Sequence, residues 1–187
     1  MVHMNGQGAP VLYAIVTGAT VAGDVGKLVD LAQADGWDVC VIASPAGYQF
    51  IDADTLAAKT GHSVRSHYKE PDAPDTLPPA DAMIVAPITS NSLAKWAAGI
   101  SDTLPLGLLV EAVGLQRPVV AVPFVNRALM SFPPVGEAVR KLSDWGVTVI
   151  AEDPPHEPRS GGDHRNAFPW AAAWQALLDH PWRSNPQ

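Results

Sequence analysis

Residues Ala82–Trp96 read AMIVAPITSNSLAKW. The first part, Ala82 to Pro87, is a short uncharged apolar run, the pattern of a parallel strand covered by helices on both faces. Pro87 is predicted to end it. Four polar side chains follow, Thr89, Ser90, Asn91 and Ser92, and from Leu93 the spacing turns helical as far as Ala98. One hydroxyl is enough to cap a helix. Four exceed that need, so the turn has groups to spare for the polar edge of a ligand.

The same alternation extends outward from this stretch. Upstream, VLYAIVT (Val11 to Thr17) is an apolar run ending in a glycine turn, and Val21, Val25, Leu28, Val29 and Ala32 follow at helical spacing until ADGWD breaks the pattern. DVCVIAS (Asp38 to Ser44) is a second strand, and FIDADTLAAKTG a short helix stopped by Gly61. The polar, proline-rich segment from His62 to Asp81 reads as a long loop, of a length that in a compact domain is usually functional or mobile.

Downstream, Leu104 to Val113 is helical, PVVAVPF (Pro118 to Phe124) is a strand, Val135, Ala138, Val139 and Leu142 mark a helix ended by Gly146, and VTVIAE is a fifth strand. EDPPHEPRSGGDHRN reads as an exposed loop and FPWAAAWQALLDH as a last helix with a proline in its first turn. Trp170, Trp174 and Trp182 are expected to dock that helix. Strands alternating with helices predict an α/β fold, a Rossmann-like three-layer sandwich of one parallel sheet with helices on both faces. Such sheets bind ligands at the carboxyl ends of the strands, where the strand order reverses. The residues just after each strand are therefore the candidates.

Composition narrows the partners. The chain of 187 residues carries 12 Lys and Arg against 19 Asp and Glu, a formal net charge of -7, with no basic run. That argues against nucleic acid and against an anionic membrane surface. The length suits one domain over residues 11–180, between a flexible N-terminus (1–10) and a tail (181–187). The one cysteine, Cys40, lies in an apolar run as a small core residue and suits a reducing compartment. No signal-peptide segment and no run of about 18 apolar residues occurs, so a cytoplasmic protein is expected. His62, His156, His164 and His180 show no ligand spacing such as H-E-x-x-H and no second cysteine is available, so no metal is assigned.

At the other strand ends two readings stand side by side. TGATVAGD (Thr17 to Asp24) offers small residues and hydroxyls before a helix, which suit either a phosphate or an ordinary capped turn; it is neither G-x-G-x-x-G nor a P-loop. SPAGYQF places Ser44 and Phe50 where they fit the edge of a planar ring or a plain strand-to-helix turn. In PFVNRALM, Asn126 either stabilises a turn or presents its amide to a carboxylate.

Together these strand ends resemble the homo-oligomeric flavin-containing cysteine decarboxylases. The family's Pro-Ala-Ser-Ala-Asn-Thr signature, followed by Gly-x-x-Asp-Asn-Leu, is similar to PITSNS (Pro87 to Ser92) and GISDTL (Gly99 to Leu104). The resemblance implies that Pro87, Thr89, Ser90, Asn91 and Ser92 contact FMN and that Asp102 helps to order the site. It places Gly18, Ala19 and Thr20 at the FMN phosphate and Ser44 and Phe50 along the flavin pocket. The family's substrate clamp, Pro-x-Met-Asn-x-x-Met-Trp, resembles PFVNRALM with Asn126 in the Asn position, while Val125, Leu129 and Met130 replace its apolar members.

Two departures accompany the likeness. Counting back from Asp81, the family's catalytic His falls on Ala73, so His67 in RSHYKEP is the nearest proton acceptor. The late Cys used by phosphopantothenoylcysteine decarboxylase has no counterpart in EPRSGGDHRN, whereas the lantibiotic-type enzymes do not need it. The resemblance thus implies a flavin-dependent oxidative decarboxylation of a cysteinyl or related small or peptidyl substrate by a homotrimer or a multiple of one. The alternatives are a family member that holds flavin or runs another flavin redox reaction without decarboxylating cysteine, and a flavodoxin-like or nucleotide-binding module alike only in fold. The apolar stretch LAKWAAGISDTLPLGLLVEAVGL is open to burial against a neighbour or against its own sheet.

Overall fold

The computed structural model describes residues 8–70, 72–74, 77–160, 162 and 164–180. Trp182, the expected tail and most of the expected flexible N-terminus lie outside the described residues. The strands are β1 Val11–Val16, β2 Asp38–Ala43, β3 Ala82–Ile88, β4 Val119–Pro123 and β5 Thr148–Val149. The helices are α1 Gly26–Ala34, α2 Pro45–Tyr48, α3 Ala53–Thr60, α4 Ser90–Ala97, α5 Leu104–Gly114, α6 Arg127–Met130, α7 Pro133–Asp144 and α8 Trp170–Leu178. Short 3-10 turns occupy Thr20–Asp24 and Arg165–Ala167.

The strands form one sheet in the order β2-β1-β3-β4-β5, every pairing parallel. Every residue of β1, β3 and β4 is buried, which is why these strands read as continuous apolar runs with no polar alternation. Successive side chains go to opposite faces. Leu12, Ala14 and Val16 of β1 pack towards α1 and α8, whereas Tyr13 and Ile15 pack towards α4, α5 and α7. The three-layer, Rossmann-like arrangement follows directly from that division.

The helices keep to one side or the other by the residues they bury. Leu93 and Trp96 of α4 and Leu104, Leu106 and Leu109 of α5 are buried in the sheet's own core, while Ile100 and Leu115 of the same apolar stretch are exposed. Trp174 meets Trp37 edge to face at 5.5 Å and its indole N–H donates to Asp35 Oδ2 at 2.6 Å, which docks α8 on the far side. Cys40 is fully buried, and burial first, then the Asp38 charge, pushes its thiol pKa up to about 12. Among the described residues no helix is long and apolar enough to cross a membrane.

Four sequence expectations need correction. Pro87 does not end its strand: β3 runs on to Ile88, across a cis Ala86–Pro87 peptide, and its pairing with β4 shifts register between Val85 and Ile88. A proline is tolerated at such an irregularity because no ladder hydrogen bond is asked of its nitrogen. The helix expected over Val21 to Ala32 divides into a 3-10 turn and α1, with the poor helix formers Gly23 and Gly26 around the break. The expected fifth strand shrinks to Thr148–Val149. Pro169 stands at the N-cap of α8, one place before its first turn.

Two polar ties fix the carboxyl edge of the sheet. The buried Thr17 hydroxyl donates to Pro87 O at 3.1 Å and accepts from Thr89 N–H at 2.9 Å, and the Thr17 N–H also donates to Pro87 O, at 3.0 Å. It thereby clamps the end of β1 to the turn after β3. Arg165 donates to both oxygens of Asp24, at 2.8 and 2.7 Å, and ties the 3-10 turn after β1 to the C-terminal 3-10 turn. The Arg165 hydrogen bonds, opposed in part by desolvation and aided by the charges of Arg165 and Lys27, hold the Asp24 carboxyl below its ordinary pKa.

Thr17→Val, which strands the Thr89 N–H, is expected to cost about 1–3 kcal/mol in urea unfolding, and Thr17→Ser to keep most of that stability. Because the Asp24 pKa is depressed in the folded chain, its contribution is complete above the unfolded value and disappears as pH falls through the folded one. The Tm difference between the natural chain and Asp24→Asn should therefore be present at neutral pH and close as the pH falls below the ordinary carboxylate range. A difference that stays constant across that range would assign the loss to something other than the ion pair.

Candidate functional site at the carboxyl edge of the sheet

With the order β2-β1-β3-β4-β5, the chain leaves β1 to one side for β2 and returns past it to β3. The reversal lies between β1 and β3, and a crevice opens there beyond the strand ends. Four turns border it, after β1, β2, β3 and β4. Of the sequence-predicted residues, Gly18, Ala19, Ser44, Thr89 and Asn126 lie on these turns, Thr20 opens the 3-10 turn after β1, and Ser90, Asn91 and Ser92 form the first turn of α4.

Hydrogen bonding divides them into spent and spare groups. Thr89 Oγ1 accepts from Ser92 N–H at 3.3 Å and donates to Ser92 Oγ at 3.2 Å, so both residues serve the N-terminus of α4. Ser44 Oγ accepts from Gly47 N–H at 2.9 Å and caps α2. Asn126 Oδ1 accepts from Leu129 N–H at 3.0 Å and caps α6. The spare groups are the side chains of Ser90 and Asn91, which make no hydrogen bond among the described residues, and the Asn126 amide nitrogen. Of the four polar residues after β3, two are thus structural.

The turns after β1 and β2 pack closely against each other at two glycines. A Cβ on Gly18 would lie 2.8 Å from Ala46 Cβ, and one on Gly47 would lie 2.8 Å from Val16 O. Ala19 directs its N–H to Thr17 O at 2.8 Å, while Thr20 is exposed. Thr20 opens the five-residue 3-10 turn, which has no side-chain cap, so the α-helix N-terminus expected here starts only at Gly26. Phe50 is 42% exposed beside this turn, its carbonyl 2.9 Å from where a Gly23 Cβ would stand.

Two predicted residues stand apart within one chain. Arg65 bridges to Ile42 in parallel fashion outside β2, which carries the exposed His67 out level with Ser44, and its ring Nδ1 lies 2.8 Å from Ser66 Oγ. Three strand spacings, about 14 Å, separate that outer position from β3. The chain then turns away, with Tyr68 Oη donating to Thr103 O at 3.1 Å beside α5. Asp102 lies past the C-terminal end of α4 in an ion pair with Lys95 at 2.5 Å, whereas Thr89 to Ser92 open that helix, about 12 Å away along its axis.

Structure adds residues that pattern reading passed over. Thr17 was legible as the last residue of an apolar run, but its clamp spans 70 residues of chain and leaves no local signal. The segment expected as an exposed loop is largely exposed among its described residues, but it holds one buried side chain, His156, in a cluster with the half-buried Glu152 and His164. Glu152 Oε2 lies 2.8 Å from His156 Nδ1 and Glu152 Oε1 lies 2.6 Å from His164 Nδ1. His156 is 7% exposed and stacks on Phe124 at 4.8 Å, and its carbonyl accepts from Arg127 N–H at 2.7 Å, next to Asn126. Burial pushes the Glu152 carboxyl up, but the hydrogen bonds from His156 and His164 outweigh it and hold its pKa below the ordinary value.

Comparison with known proteins places this edge in context. Mouse phosphopantothenoylcysteine decarboxylase is 37% identical over 71 residues, 38% of this chain and 34% of that protein. A probable phosphopantothenoylcysteine decarboxylase of Arabidopsis thaliana is 34% identical over 88 residues, 46% of this chain and 42% of that protein. The chain thus spans less than half the length of these curated relatives. The fold is shared with the FMN-dependent cysteine decarboxylase TvaF from thioviridamide biosynthesis (TM-score 0.66, 24% identity, 92% of this chain and 100% of that one). It is shared likewise with the cypemycin decarboxylase CypD (TM-score 0.67, 20% identity, 91% and 95%). Residues 4–167 match the family model described as Flavoprotein, and the chain belongs to that family.

Proposed function

We propose that the chain binds FMN in the crevice between β1 and β3 and carries out a flavin-dependent oxidative decarboxylation of a cysteinyl or related small or peptidyl substrate. The observation that carries this reading is the set of uncommitted polar groups, Ser90, Asn91 and the Asn126 amide nitrogen, on one sheet edge held by the Thr17 clamp. The donors suit FMN: neutral hydroxyl and amide groups for a polar ring edge and ribityl chain, and a turn that packs closely at Gly18 and exposes Thr20. When bound, FMN supplies the capacity to accept a hydride equivalent from the thiol-bearing carbon.

The chain's own groups do the holding. Ser90 and Asn91 orient the flavin edge, Thr20 faces the phosphate, and the Asn126 amide nitrogen donates to the substrate carboxylate while its oxygen keeps α6 in place. Phe50 and Tyr48, 42% and 41% exposed, flank one side of the edge, and Leu129 and Phe132, 45% and 58% exposed, follow Asn126. That exposed apolar rim suits burial by a second copy, and a cytoplasmic homotrimer or a multiple of one belongs to this reading. His67 can act as proton acceptor only if assembly brings it to a neighbouring copy's crevice.

The position of His67 favours a second reading, an FMN-holding family member with a different flavin reaction. One experiment separates the two. Protein purified from cells is expected to be yellow with FMN, and FMN added to stripped protein at about a hundred times Kd should stabilise it by about 2.7 kcal/mol. Ser90→Ala and Asn91→Ala should each weaken FMN by the worth of one hydrogen bond, about 0.5–1.5 kcal/mol. A cysteine-terminated peptide should lose the mass of carbon dioxide, and Asn126→Ala should abolish that loss while the protein stays yellow. Yellow protein without the mass loss selects the second reading; colourless protein that takes up no FMN refutes both.

A further inference from the structure

The linear spacing of histidines assigned no metal, but the fold gathers groups that the sequence scatters. Glu152 follows β5, His156 lies four residues on, and His164 precedes the Arg165–Ala167 turn. One donor atom from each of the three lies within 4.8 Å of the other two. We propose that Glu152, His156 and His164 form a binding site for a divalent transition metal, with zinc the ion whose preferences fit it.

The geometry supports an ion at this point. Both imidazoles turn the same atom, Nδ1, to the two oxygens of a single carboxylate, at 2.8 and 2.6 Å. Metal bonds of about 2.0–2.2 Å to nitrogen and carboxylate oxygen place neighbouring donors roughly 3 Å apart, so a small outward movement admits an ion in place of the two Nδ1 protons. Two neutral imidazoles and one carboxylate contribute a single negative charge against the ion's two positive ones. A mixed nitrogen and oxygen set suits zinc and its transition-metal neighbours over calcium or magnesium, which take oxygen.

The donors are also held in advance. His156 is buried, stacked on Phe124, and pinned through its carbonyl by the Arg127 N–H. The ring of His164 lies 5.2 Å from that of His156, and the residue after it, Arg165, is tied to Asp24. Glu152 and His164 line a cavity of about 230 Å³ together with Pro123, Phe124 and Phe168, which gives the ion access and leaves room for a water or a small ligand as a further donor. A bound ion would fasten Glu152, His156 and His164 to one another near the sheet edge beside Asn126. The site stands whether or not flavin binds.

The test uses tag-free full-length protein as purified, treated with a chelator, desalted, and titrated with zinc sulfate by calorimetry, with elemental analysis after gel filtration. One zinc per chain and a raised Tm are expected. His164→Ala removes a half-exposed ring, and it and Glu152→Gln should each weaken zinc by at least about tenfold and remove the rise in Tm. His62→Ala, which alters a histidine elsewhere, should bind zinc as the natural chain does. Should His164→Ala fold poorly by circular dichroism, His164→Gln takes its place with the same expectation. Failure of the natural chain to retain zinc through gel filtration, or undiminished affinity in the His164 and Glu152 variants, would overturn the proposal.

Discussion

A single hydroxyl joins the two strands between which the chain reverses direction. The Thr17 hydroxyl donates a hydrogen bond to Pro87 O and accepts one from the Thr89 N–H, in a region closed to water. In such surroundings a missing partner costs more than the bond gains, so the arrangement is held tightly. The start of α4, the turn after β1 and the uncommitted Ser90 and Asn91 all take their positions from it. A shift of β1 against β3 would separate the groups proposed to meet the flavin.

The edge also shows how far turn chemistry and ligand chemistry draw on the same residues. Thr89, Ser92, Ser44 and Asn126 each satisfy a polar group at the start of a helix. Helix ends leave backbone donors without partners within the helix, and buried ones need a nearby oxygen. Asn differs from the hydroxyl residues in keeping a second polar atom after its oxygen is used. That is why Asn126 can be both a cap and a candidate clamp, whereas Ser44 is committed to α2.

The C-terminal segment is bound to this edge from two directions. Arg165 reaches Asp24 beside the turn after β1, and Arg127, next to Asn126, donates its N–H to His156 O and its guanidinium to Glu157. Phe124 contacts both His156 and Phe168, so the end of β4 is the common floor for the last part of the chain. The substrate side of the proposed site and the Glu152 cluster therefore share one loop boundary.

The alternation of apolar runs with helical spacing was enough to find the strands and long helices, because a parallel sheet buried on both faces needs continuous hydrophobic segments. It was also enough to point to the turns after β1 to β4, since that architecture puts ligands there. It could not tell that Pro87 stays within β3, that Thr89 and Ser92 are spent on α4, or that His67 runs outside β2. Nor could it show Glu152 gathering His156 and His164. Local spacing records the face that a residue presents to the core, whereas the partner of a polar side chain is set by distant segments brought together in the fold. Sequence alone thus determined the layers and the candidate edge, and tertiary structure decided which polar groups on that edge remain free among the described residues.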